Sequence, residues 1–232
     1  MPLSDAEVIA RLEPLLTDAR RRRMRTVLAG RSDHVAFVFE RMIDPHNLSA
    51  ALRSLDAFSF QDAHLVQPGE RLQLSRGISI SADRWLSLQE APTTADCLQS
   101  LKAAGYTVYA SHLSAGGATS LPALDWSRRS ALVFGNEHLG VSDEVLALAD
   151  GAFRIDMLGF VESLNLSVAV AISAYQARQA ITRLAADDPR PERFALSPER
   201  QQALYAKWLR QSIKHPERIL GEPDPAGDRP SD

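Results

Sequence analysis

The chain reads as an α/β protein with a mainly parallel sheet and helices on both faces. Three observations predict this. Between residues 34 and 184, short strand-like runs alternate with segments whose apolar residues recur at helical spacing, the pattern that lays crossover helices over parallel strands. The run "HVAFVFE" is rich in β-branched and aromatic residues, as a buried strand is. The odd polar stretches "DPHN", "ASHLS", "FGNEHLG" and "DMLGFVESLN" all fall where a strand gives way to a loop or helix. In open parallel sheets, ligands bind beyond the carboxyl ends of the strands.

The elements follow in order. Ser4 with Glu7 three residues on is a capping box that opens a helix. Pro14 breaks it and starts a second helix ending near Gly30. After the strand "HVAFVFE", the stretch "NLSAALRSLDAF" carries Leu48, Leu52 and Leu55 at helical spacing. "AHLVQP" is a strand, residues 68–82 a loop, and Trp85–Leu88 a short extended piece. "TTADCLQSLKAAG" is a helix ending at Gly105. "YTVYASH" and "SALVFG" are strands, Ser142 caps the short helix "DEVLALAD", and "AFRIDM" is a further strand. A long apolar helix runs from about Ser163 to Leu184. A polar, proline-containing linker then leads to a second amphipathic segment, opened by Ser197 with Pro198 at its first position. The expected divisions are a helical arm (1–33), an α/β domain (34–184), a helical extension (185–220) and a disordered tail (221–232).

Composition narrows the function. Of 232 residues, 45% are hydrophobic and 24% charged, so a packed core is expected. One cysteine, Cys97, excludes an internal disulfide framework and a cysteine-rich metal site, and points to the cytoplasm. No run of about 18 apolar residues predicts a membrane span. The net charge of −3 conceals a segregation. Residues 1–31 hold 7 Lys/Arg against 4 Asp/Glu, whereas residues 32–182 hold 10 against 16. The basic excess centres on "RRRRMR", with Arg20, Arg21, Arg22, Arg23 and Arg25. It is either a solvated helix face or a nucleic-acid contact.

Common chemistries find no support. There is no G-x-x-x-x-G-K-[ST], no G-x-G-x-x-G after a strand and no G-x-S-x-G. The six histidines show no metal-ligand spacing. Three polar clusters remain. In "DPHNLSAALRS", Asn47 is either a helix cap or a functional amide, and Arg53 either pairs with Asp56 or acts on a substrate. In "VFGNEHLGVS", Gly135 and Gly140 permit a tight turn and Glu137 is a loop carboxylate. In "GFVESLNLSVA", Ser163 caps the long helix and Asn165 satisfies a loop carbonyl, or both face a ligand.

Together these clusters resemble the SPOUT methyltransferases, specifically the TrmH branch of RNA ribose 2′-O-methyltransferases. The first family motif, Asn followed six residues later by Arg, matches Asn47 and Arg53; the second matches "LVFGNEHLGVS" with Glu137; the third matches "IDMLGFVESLNLSVAVA" with Ser163 and Asn165. The motifs occur in order and span about residues 34–180. Where the family usually has Pro before the Met of motif 3, this chain has Asp156.

The resemblance implies a deep trefoil-knot fold, a homodimer and an S-adenosyl-L-methionine site without a metal. By family analogy the cofactor is held around Phe134, Gly135, Asn136, Ile155, Met157, Leu158 and Leu164, with Ser111 replacing the family's Thr. Arg53 is implied as the residue that assists the ribose hydroxyl. A guanidinium, with an ordinary pKa of about 12.5 or above, is a poor base but a good electrostatic stabiliser of an alkoxide. Asn47, Glu137, Ser163 and Asn165 complete the implied catalytic set. The helical flanks look like those of tRNA guanosine 2′-O-methyltransferases acting in the D-loop, with Arg20–Arg25 on the RNA. A ribosomal-RNA methyltransferase of the same branch and a non-catalytic RNA-binding relative are the alternatives.

Overall fold

The computed structural model describes residues 3–67, 84–112, 117–136 and 138–223. They form two compact units. One combines the residues up to Arg31 with those from Leu196 on; the other is Ser32–Ala195.

The first unit is helical. Ser4 opens α1 (Asp5–Leu12) with the expected capping box: the Glu7 N–H donates to the Ser4 hydroxyl, and the Ser4 N–H donates to the Glu7 carboxylate at 2.9 Å. Pro14 ends this helix but does not start the next. It sits in a single 3₁₀ turn, Glu13–Leu15, and Thr17 caps α2 (Asp18–Ala29) by accepting the Arg20 N–H. A hydroxyl that satisfies an otherwise orphaned N–H outranks a proline that only presets φ.

The second unit is the parallel sheet. Its elements are β1 (Val35–Glu40), α3 (Pro45–Ala57), β2 (Asp62–Val66), β3 (Ser87–Ala91), α4 (Thr94–Ala103), β4 (Thr107–Ser111), β5 (Thr119–Ser120), β6 (Ser130–Phe134), α5 (Asp143–Leu148), β7 (Gly151–Arg154) and α6 (Leu166–Asp187). The strand order is β3-β2-β1-β6-β4-β7-β5, and every named pair is parallel. The two-residue strand β5 was not expected from the sequence; two residues carry no periodicity to read.

Both faces of the sheet are covered, and β1 shows how. Val35, Phe37 and Phe39 point to a core with Leu48, Leu52 and Leu55 of α3 and Val170, Ala174, Ala177 and Ile181 of α6. Ala36 and Val38 point to the opposite core, with Leu98 and Leu101 of α4 and Val145 of α5. This is the strand's period of two serving two layers. Phe134 anchors the first core, 6.3 Å from the Phe37 ring and 5.7 Å from the Phe153 ring. Small residues on α6, including Ser173, Ala174 and Ala177, are buried where it packs with α3.

Residues 188–195 are not a linker. They include a 3₁₀ turn, Pro191–Phe194, whose Phe194 is buried in the first core and lies 4.7 Å from the His34 ring. The Ser32 hydroxyl donates to the Phe194 carbonyl at 2.5 Å, so the entry and exit of the sheet unit meet.

The helical unit resumes with α7 (Pro198–Ser212), capped by Ser197, and α8 (Pro216–Leu220). α1 packs on α7 and α8, and α2 packs on α7. Glu13 ties the unit together, accepting from Arg25 at 2.6 Å and from the Tyr205 hydroxyl at 2.7 Å. Burial and this bond push the Tyr205 phenol up to about 12. Arg31 is fully buried, its guanidinium 5.5 Å from the Trp208 ring. Residues up to Arg31 and from Leu196 on, which the sequence divides between arm and extension, thus share one unit, whereas 185–195 of the expected extension belong to the sheet unit. Most of the expected tail, residues 224–232, lies outside the described residues, as does the loop 68–82. Among the described residues no helix is long and apolar enough to cross a membrane.

Candidate active site

A cavity of about 340 Å³ opens beyond the carboxyl ends of β4, β6 and β7. This is a volume suited to a small molecule. Ser111 and His112 come from the end of β4, and Phe134, Gly135 and Asn136 from the end of β6. Arg154, Ile155, Met157, Ser163 and Leu164 follow β7, and Leu166 and Ala169 belong to the first turn of α6.

The loop after β6 is shaped by its own backbone. Asn136 and Gly140 form an isolated antiparallel bridge, with the Gly140 N–H donating to the Asn136 carbonyl at 2.8 Å. Gly140 has φ +68, which glycine adopts without steric penalty. A Cβ on Gly135 would overlap the Gly140 carbonyl group and the Val141 nitrogen. The buried Asn136 holds the turn, accepting the N–H groups of His138 and Leu139 at 2.7 and 3.2 Å.

The loop after β7 is held differently. Arg154 donates to Asp156 at 2.9 Å and also to the Ala118 carbonyl, and the Ser120 hydroxyl donates to the other Asp156 oxygen. The Ser120 hydroxyl first, and then Arg154, hold the Asp156 carboxyl below its ordinary range. The aspartate that stands in place of the family's proline is thus tied to β5 and β7.

The question of what caps the long helix has a clear answer. Asn165, not Ser163, is the N-cap: its Oδ1 accepts the Ser167 N–H at 2.9 Å. Its Nδ2 donates to Oδ1 of Asn47 at 3.1 Å. Asn47 in turn is not a cap. Asp44 caps α3, accepting the His46 N–H at 2.8 Å with Pro45 at the first position, which leaves Asn47 in the first turn to meet Asn165. Two motifs 118 residues apart in sequence therefore touch.

Of the expected cofactor residues, Ser111, Phe134, Gly135, Asn136, Ile155, Met157 and Leu164 line the cavity, and so does Ser163. Leu158 does not; its side chain is fully exposed. Arg53 is exposed on α3 and is not in the cavity wall. Glu137 lies outside the described residues. Arg20, Arg21, Arg22, Arg23 and Arg25 belong to the helical unit. There Arg21 pairs with Asp18 and Arg25 with Glu13, while Arg22 and Arg23 are exposed. His112, His138, Leu139, Val141 and Arg154 also line the cavity and were not singled out from sequence. The only signal for His112, His138 and Leu139 was their place in the strand-exit stretches, and Val141 and Arg154 stand at the edges of such stretches. Among the described residues, no three His, Cys, Asp or Glu side chains gather as a metal group.

Asn165→Ala should cost about 1 kcal/mol of stability through the lost cap, and the activity implied by the motifs should fall at least tenfold. Asn165→Ser, which keeps a cap acceptor but is too short to reach Asn47, should restore the melting temperature and not the activity. Equal activity in Asn165→Ser and the parent chain would show that the Asn47 contact is idle.

Fold and cavity define an α/β protein of the parallel, doubly covered kind, with a cavity of small-molecule size at the strand ends. The family model described as "SpoU rRNA Methylase family" matches residues 34–175. A tRNA (guanosine(18)-2′-O)-methyltransferase of Thermus thermophilus is 40% identical over 195 residues, covering 84% of this chain and 97% of the relative. Among solved structures, the TrmH/SpoU tRNA modifying enzyme of A. aeolicus is similar with a TM-score of 0.73 and 27% identity, covering 85% of this chain and 98% of that one. An AdoMet-bound rRNA methyltransferase from Sinorhizobium meliloti is similar with a TM-score of 0.57 and 27% identity, covering 66% of this chain and 58% of that one. The chain belongs to the SpoU methylase family, and its fold is the α/β SPOUT fold expected from the motifs.

Proposed function

We propose that the protein transfers a methyl group from S-adenosyl-L-methionine to the ribose 2′-hydroxyl of guanosine 18 in the tRNA D-loop. The observation that carries the reading is the junction of the three motif segments. The loops after β6 and β7 line one cavity, and the Asn47–Asn165 bond joins the start of α3 to the start of α6. The tRNA relative at 40% identity over most of both chains favours tRNA as substrate.

The cavity suits the cofactor. Its lining includes the apolar Leu139, Val141, Ile155, Met157 and Leu164, which fit a purine and a methionine chain, beside polar groups such as Ser111, His112 and Ser163. The missing side chain at Gly135 lets the 135–141 backbone close on itself and so shapes this part of the wall. When bound, the cofactor supplies a methyl group already activated by its sulfonium.

The protein's task is then alignment and handling of one proton. Arg53 stabilises the developing 2′-alkoxide electrostatically. Asn47 and Asn165 hold the ribose side of the site in register. Ser163 fixes the loop before Asn165, and Glu137 serves the loop after β6. The exposed apolar stripe on α6, Val168, Ile172 and Tyr175, is the face a second copy covers in a homodimer.

The test uses purified protein, methyl-labelled S-adenosyl-L-methionine and separate unmodified tRNA and ribosomal RNA. Label in 2′-O-methylguanosine from tRNA is expected; label confined to ribosomal RNA would overturn the substrate. Arg22→Glu with Arg23→Glu should weaken tRNA binding about tenfold and flatten its salt dependence by about one to two units of slope. Cofactor affinity should stay unchanged, as calorimetry would show. An unaltered salt slope in filter binding would remove these arginines from the RNA contact.

A further inference from the structure

β1 ends on Glu40, a carboxylate only 1% exposed and outside the implied catalytic and cofactor residues. A buried carboxylate is expected to sit beside a cation or in a set of strong donors. Here the donors are neutral. The Ser142 N–H donates to Oε2 at 2.9 Å, the Ser142 hydroxyl to Oε1 at 2.6 Å, and the Thr94 hydroxyl to Oε1 at 2.8 Å. Thr94 is the first residue of α4, and Ser142 is the cap of α5, whose hydroxyl also accepts the Val145 N–H.

The next residue makes the second half of the arrangement. Arg41 has φ +54, a left-handed conformation that a non-glycine residue adopts only when its surroundings impose it. Its N–H donates to the Val66 carbonyl at 2.9 Å, and its own carbonyl accepts Nδ2 of Asn136 at 3.1 Å. The consecutive residues Glu40 and Arg41 therefore grip both ends of the segment 136–142. That segment supplies Asn136, His138, Leu139, Gly140 and Val141 to the cavity wall. The chain beyond Arg41 leads directly into α3, which carries Asn47 and Arg53.

We infer that Glu40 is a positioning residue that sets the cofactor-side loop against the end of β1, so that the cavity is formed before the ligand arrives. The inference rests on the cofactor reading above. A carboxylate is needed because both the N–H and the hydroxyl of Ser142 must be received, with Thr94 added. Glutamine has the same shape but only one acceptor oxygen, so it either sets its N–H₂ against the Ser142 N–H or forces the Ser142 and Thr94 hydroxyls to turn and accept, and in both cases the charge-assisted bonds are lost.

The test compares the parent chain, Glu40→Gln, Ser142→Ala and the double variant. S-adenosylhomocysteine binding is measured by calorimetry, alongside steady-state kinetics. In Glu40→Gln the dissociation constant for S-adenosylhomocysteine and the KM for S-adenosyl-L-methionine should rise together, about tenfold or more. The kcat at saturating cofactor and the KM for tRNA should stay within about twofold. Ser142→Ala, which disturbs the buried site less, should raise the same two constants by a smaller factor, and the double variant should be no worse than Glu40→Gln. A purely structural role predicts the reverse split, with kcat lowered by loss of folded protein and both cofactor constants unchanged; that result would overturn the inference. Failure of the parent chain to bind S-adenosylhomocysteine would instead overturn the cofactor reading, and the positioning role with it.

Discussion

Arg53→Ala is expected to lower the single-turnover rate of methyl transfer to tRNA by about 10²–10³-fold, the loss seen when one preorganised donor to a developing oxyanion is removed. Cofactor binding should be unaffected, because Arg53 is not part of the cavity wall. Stability should change by no more than about 0.5 kcal/mol, because the residue is exposed on α3. Arg53→Lys tests the mechanism further. It keeps a cation but loses the planar fork, so it should recover only part of the rate if oriented hydrogen bonds matter and most of it if charge alone does. A rate within about threefold of the parent in Arg53→Ala would dismiss Arg53 from the reaction.

The second large effect is expected at Gly135. In Gly135→Ala the new methyl would overlap the carbonyl of Gly140 and the nitrogen of Val141. These are backbone atoms and cannot turn aside as a side chain could. To make room, the 135–141 loop must open its Asn136–Gly140 bridge, or β6 must shift at its end. Overpacking of this kind costs about 1–3 kcal/mol of stability. Because the same loop is cavity wall, S-adenosylhomocysteine affinity should drop at least about 100-fold. Gly151→Ala is the control: its Cβ would meet the Tyr109 ring at an ordinary 3.5 Å, at the far end of β7. Calorimetry on the two variants decides the point, and equal affinities would mean that the close approach at Gly135 is not what shapes the site.

The alternation of strands and helices was legible because it is written in local periodicity. β1, α3, β6 and α6 lie close to where their apolar patterns placed them. The cavity was legible only through motifs, since composition offers no charged cluster or glycine-rich phosphate loop to betray a site held by backbone. The caps were read less well. "DPHN" contains two residues able to cap, and only the geometry shows that Asp44 with Pro45 takes the role and frees Asn47 for Asn165. "ESLN" posed the same choice between Ser163 and Asn165. Such choices are settled by a partner more than a hundred residues away, which no local window contains. The helical unit escaped for the same reason: amphipathic faces near both ends of a sequence do not say that they face each other.

The bond between Ser32 and Phe194 bears on how such a molecule can assemble. During synthesis, α1 and α2 emerge first and must wait for α7 while the 164 residues from Ser32 to Ala195 are made. In a flexible chain, closing a loop of that length would cost about 4–5 kcal/mol of entropy. The sheet unit removes most of that penalty by folding, because its own two ends come out side by side. The helical unit thus inherits a short, preset closure, and its maturation becomes a late event gated by the sheet. A nascent chain stalled before α7 would leave uncovered the faces of α1 and α2 that α7 packs against.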